Sequence, residues 1–126
     1  MIGWMVSIHR GSLGPDRTPV VNLNDSRWVA TWECGGSQSL NWLLDLERNG
    51  HCHHLEGDGF KDKYALQAMY VTPLLLKGIP GTNIPWPTQL KNPEERTWFG
   101  KAEIDMDQVN QCRCTEWLEI FTLDLS

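Results

Sequence analysis

The chain has 126 residues, 40 % of them apolar and 21 % charged, with a formal net charge of −5 and a pI near 5.2. A length of this order fits one domain with its own core. Scattered Lys and Arg under an acidic balance argue against nucleic acid and against an anionic membrane surface, and no stretch approaches the ~20 apolar residues that a membrane helix needs.

The first segment, Ile2 to His9, alternates: Ile2, Trp4, Val6 and Ile8 fall on one side, Gly3, Met5, Ser7 and His9 on the other. Period two predicts a strand with one strongly apolar face. No basic region precedes the apolar run, so the segment does not read as a signal peptide. The expected location is cytoplasmic, with reduced cysteines. Gly11, Gly14-Pro15 and Pro19 then break the chain into a loop, and a short VVNL ends at Asn24-Asp25-Ser26, a turn.

Arg27 to Glu33 predicts a second strand, with Trp28, Ala30 and Trp32 on one face. Gly35-Gly36 ends it, and Ser37 or Ser39 is placed to cap a helix. In that helix Leu40, Trp42, Leu43, Leu44 and Leu46 cover a wide apolar arc opposite Gln38, Asn41, Asp45 and Arg48. Gly50 stands where a helix stop takes positive φ. The short segment His51 to Glu56 leads to a Gly57-Asp58-Gly59 turn.

Phe60 to Val71 fits two periods. Tyr64, Leu66, Ala68 and Tyr70 alternate, whereas Phe60, Tyr64, Ala65, Ala68 and Met69 suit a helix, which composition favours slightly. Thr72-Pro73 predicts a cap followed by an N1 proline, with Leu74 to Lys77 as one turn stopped by Gly78. Residues 78–90 form a Gly/Pro-rich loop anchored by Ile79, Ile84 and Trp86, and Asn92-Pro93 starts another short helix. Lys101 to Asp107 alternates as a strand, and Gln108 to Gln111 turn the chain. Trp117 to Leu125 is apolar on both faces, the mark of a central strand. The sum is an α+β fold. A mostly antiparallel sheet of four to five strands carries one main helix and one or two short helices on one face, residues 1–126 forming a single domain. The other face is expected to carry Thr31, Glu103, Asp105 and Thr122.

Four constellations bear on chemistry. Cys52 and His54, with Cys112 and Cys114, make a Cys₃His set of the kind that holds zinc, and zinc is the one cofactor the residues suggest. Their Cys-x-His and Cys-x-Cys spacings are shorter than in familiar zinc motifs, and four reduced cysteines acting as small hydrophobes explain the same residues. Asp45, Glu47, Gly50 and Glu56 trace the outline of a calcium loop, for which Gly50 as a helix stop is the simpler account. Glu103, Asp105 and Asp107 place three carboxylates on one strand face, ~7 Å apart, which reads more simply as a solvated edge.

The fourth constellation is aromatic. The chain has seven tryptophans. Trp86 between two prolines, with Trp98 and Phe99, forms a candidate surface for a small ligand or protein partner, while Trp86 also reads as a plug on the core. No nucleophile elbow or phosphate loop is present, so the leading expectation is a non-catalytic binding or accessory module, a homodimer with no nucleic-acid or membrane partner. Its rivals are a zinc-binding domain and a small enzyme with a histidine base in a Trp-lined pocket.

Overall fold

The computed structural model describes residues 3–10, 27–35, 39–82, 84–87 and 102–125. The expected loop at 11–19, the VVNL segment, the cap at Ser37, the helix start at Asn92, and Trp98 and Phe99 lie outside them. Among the described residues there are six strands and three helices: β1 Gly3–Arg10, β2 Arg27–Gly35, α1 Asn41–Arg48, β3 Cys52–Gly57, β4 Lys61–Gln67, α2 Thr72–Lys77, β5 Ala102–Ile104, α3 Met106–Gln111 and β6 Trp117–Asp124. A single 3₁₀ turn, Ala68–Tyr70, joins β4 to α2.

The strands form one sheet in the order β3-β4-β6-β1-β2-β5, every neighbouring pair antiparallel. This is one strand more than the upper end of the sequence expectation. Beyond the four strands that periodicity marks lie β3, which the sequence shows only as a short segment, and β4, where the alternation of Tyr64 and Leu66 prevails over helical composition. Pairing decides β4: it lies between β3 and β6, and both of its edges are hydrogen-bonded. β6 is central, as its two apolar faces require.

One face of the sheet is the core. Val6 and Ile8 of β1, Ala30 and Trp32 of β2, Tyr64 and Leu66 of β4, and Leu118 and Ile120 of β6 pack there. Leu43 of α1, Leu75 of α2 and Val109 of α3 close over them in the same cluster. Thr122 also lies on this side, 2 % exposed and opposite Val6, rather than on the open face.

Local signals explain most element ends. α1 stops at Asn49-Gly50, with Gly50 at φ +79°, and the N–H groups of Asn49 and Gly50 close on Asp45 and Glu47. Its N-cap is Leu40, without a side-chain bond. Thr72 is the first residue of α2 rather than its cap; its hydroxyl donates back to the Ala68 carbonyl at 3.0 Å.

The largest local departure is at residues 105–111. β5 ends at Ile104, and Asp105 caps α3 by accepting from Gln108 N–H at 3.2 Å. The carboxylate row therefore does not exist: Glu103 is on the strand, Asp105 is the cap and Asp107 is in the first helical turn.

Candidate functional site

The site is built on the sheet face opposite the core. In the ladders Ser7 stands between Thr31 of β2 and Phe121 of β6, His9 lies opposite Glu119, Lys63 opposite Phe121, and Lys61 opposite Leu123. Alternation puts all of these side chains on one side.

A bulge adds one more. The β1–β2 register shifts between Ile8 and His9, so that Ile8 pairs with Ala30 but His9 pairs with Trp28. Val29 is the extra residue, and it turns Trp28 away from the face of Ala30 and Trp32, where plain alternation places it. Bulges re-aim side chains in this way. Trp28 Nε1 then donates to Thr31 Oγ1 at 2.6 Å. Thr31 Oγ1 lies 3.0 Å from Ser7 Oγ, and Ser7 Oγ lies 2.8 Å from His9 Nε2. The His9 ring meets Phe121 edge-on, with centroids 5.6 Å apart. Burial lowers the His9 pKa, partly offset by the charge of Glu119.

Phe121 joins this polar row to a shallow groove of about 340 Å³ lined by Glu56, Lys61, Asp62, Lys63, Phe121, Thr122 and Leu123. The two lysines differ. Lys63 lies 5.1 Å from the Phe121 centroid and pairs with Glu56 at 3.4 Å and Glu119 at 3.2 Å. Lys61 forms no ion pair among the described residues. The neighbouring Asp58 directs its Oδ1 to the N–H groups of Phe60 and Lys61 at 2.9 and 3.1 Å. Those bonds, with Lys61's charge behind them, hold the Asp58 carboxyl below its ordinary range.

The hairpin behind the groove is tied from the core side. Asp62 is 7 % exposed; its carboxylate accepts from Gly59 N–H at 3.3 Å and sits 2.8 Å from His54 Nε2, and the His54 ring stacks on Tyr64.

The residues singled out by sequence fall as follows. Cys52 is buried on β3 opposite Leu66, and burial pushes its thiol up to about 12. His54 is committed to Asp62. Cys112 closes α3, where its Sγ–H donates to the Gln108 carbonyl at 3.1 Å, and Cys114 is exposed. Among the described residues no group of three or more His, Cys, Asp or Glu is gathered to hold a metal ion, so Cys52, His54, Cys112 and Cys114 do not come together as one set. The calcium-loop outline is divided between α1, its glycine stop and strand β3, and Glu56 is followed by strand β4 where a calcium loop has its exiting helix.

Trp86 is fully buried. Its indole donates to the Leu75 carbonyl at 2.8 Å, and its ring stands edge-on to Trp32, so it offers no surface to a ligand from outside. Sequence reasoning allowed a histidine base and placed His9 on the second side of the first strand, but did not join it to Ser7, Thr31 and Trp28. The available signal was Ser7-x-His9 on the polar side of a strand, whereas Trp28 is reached only through the bulge.

No helix among the described residues is long and apolar enough to cross a membrane. No family model matches this chain, and no curated protein or solved structure matches it either.

Proposed function

We propose that this chain is a binding module whose open sheet face takes a small organic anion with an apolar body. One observation carries the reading: a groove of about 340 Å³ is floored by Phe121 and Leu123 and bordered by Lys61, whose ammonium is in no ion pair among the described residues. Concave sites of this kind take their affinity from apolar contact and their orientation from one or two polar groups. Lys63, already held by two carboxylates, supplies shape; Lys61 supplies the charge.

The probe is 8-anilinonaphthalene-1-sulfonate, an aromatic body with one sulfonate. Saturable binding at one site is expected, with amide shift changes confined to residues 56–63 and 119–123. Phe121→Ala and Lys61→Glu should each weaken it. Phe121 is 38 % exposed, so its truncation leaves the core intact. Binding that ignores both substitutions, or shift changes centred elsewhere, overturns the assignment.

The working assembly in this reading is a cytoplasmic homodimer. Leu44 on α1 and Leu76 on α2, 40 % and 51 % exposed, are apolar residues on the outer side of the helices that a second copy would cover. A monomeric mass by light scattering at high protein concentration would remove the dimer and leave the groove reading untouched.

A further inference from the structure

The row of Ser7, His9, Thr31 and Trp28 has a direction. An indole N–H can only donate, so Trp28 fixes Thr31 Oγ1 as an acceptor at 2.6 Å. Thr31 is 7 % exposed, and among the described residues the other polar atom bonded to its hydroxyl is Ser7 Oγ at 3.0 Å. Thr31 therefore donates to Ser7. Ser7 Oγ lies 2.8 Å from His9 Nε2, and with the neutral ring protonated on Nδ1 the Ser7 hydroxyl donates to it. That tautomer is the one in which a hydroxyl nucleophile and its base are matched. Burial, which lowers the His9 pKa against the weaker pull of Glu119, favours the same neutral form.

A hydroxyl that donates to a neutral imidazole is the arrangement of an activated nucleophile. Ser7 also stands directly opposite Phe121, which lines the groove. We propose that Ser7 is a nucleophile and His9 its general base, acting on an ester whose apolar part lies against Phe121. The Ser7 Oγ–carbonyl carbon bond forms as the Oγ proton passes to His9 Nε2. The ester C–O bond then breaks, and the departing alkoxide takes that proton. Water repeats the sequence in reverse, releasing the acid and restoring Ser7. Thr31 is a positioning residue that holds Ser7 Oγ from the far side, and Trp28 fixes Thr31. This goes beyond ligand binding and does not depend on Lys61.

Two probes test it. Diisopropyl fluorophosphate on the wild-type chain should leave one phosphoryl adduct, fluoride departing, and peptide mapping should place it on Ser7. With p-nitrophenyl acetate, His9→Gln should slow nitrophenolate release by about a hundredfold, within the usual range for a lost general base. Ser7→Ala should take no label. The rate should rise with pH through the His9 midpoint read by NMR in the same sample. Among the described residues the charged groups that share this face around the row include Glu119 on β6, Lys63 beyond it on β4 and Glu103 opposite Thr31 on β5; a profile that follows another group overturns the base assignment. An unlabelled wild type, or label on a tyrosine or lysine, overturns the nucleophile. That mapping needs no variant, so a variant that fails to fold does not rescue the proposal.

Discussion

Cys52 and Cys114 differ in exposure, one buried on β3 and the other exposed between α3 and β6. Cys52 is sealed between β3 and the core, and burial pushes its thiol up to about 12; Cys112 is pushed up to about 11, first by burial and then by Glu116. Cys34 is raised as well, again by burial. Cys114 alone is exposed. Thiolates react and thiols do not. Iodoacetamide at pH 8 should therefore modify Cys114 well before the other three, with the order unchanged by a chelator. Joint protection of Cys52, Cys112 and Cys114, lost on chelation, would restore the zinc reading. Composition along the chain displays the Cys and His enrichment, but whether such residues share a site depends on which strands pair.

His9 supports a prediction at the same scale. Its pKa in the fold lies below the ordinary value of 6.5, so between those two pH values the unfolded chain binds more protons than the folded one. Its contribution is complete above pH 6.5, falls as pH drops towards the folded midpoint, and is then level. In the proposed dyad Ser7 donates to the neutral ring, so Ser7→Ala should raise the His9 midpoint and narrow that window. An unchanged His9 titration in that variant would show that Ser7 does not donate to it. Glu116 acts in a different range. Its carboxyl is held low mainly by the hydrogen bonds from Arg10, at 2.6 and 2.8 Å, so its contribution is lost only below its ordinary 4.5.

Among elements, α3 shows what alternation conceals. Ala102, Ile104 and Met106 continue a period of two, yet the strand stops where Asp105 bonds the N–H of Gln108. Asp-x-x-Gln is a capping pattern that the sequence displays, but the alternation of three carboxylates is the louder signal. A six-residue helix depends heavily on its cap. Asp105→Ala should cost about 1 kcal/mol, with Asp105→Asn largely retaining stability. Equal stability of Ala and Asn variants in urea would mean that packing of Val109 alone holds the helix. β4 teaches the converse. Its sequence suits helix and strand equally, and only the partners supplied by β3 and β6 decide. Such partners are remote in sequence, so a local reading has no access to them. The first two strands, α1 with its glycine stop, and central β6 were legible because periodicity and a terminating residue agree there. The bulge at Val29, which creates the polar row of the candidate site, leaves no local mark.

Over the whole molecule, Trp86 joins the helical layer to the sheet. Its ring meets Trp32 of β2, Trp32 meets Trp42 of α1, and its N–H closes on the Leu75 carbonyl in α2. All of these belong to one apolar cluster. A residue that joins both layers should report their shared melting rather than that of either layer. Unfolding followed by tryptophan emission and by far-ultraviolet circular dichroism should therefore give one coincident transition. Trp86→Phe removes the indole donor and leaves a carbonyl in the core without its partner, at a cost of about 1–3 kcal/mol. That loss should shift both probes together. If emission changes first while the dichroism is retained, the helices and the sheet separate independently, and the core is two clusters that merely touch. If both move by the same amount, the Gly/Pro-rich loop that delivers Trp86 is part of the cooperative unit, which explains why a segment so poor in regular structure contributes one of the largest fully buried side chains.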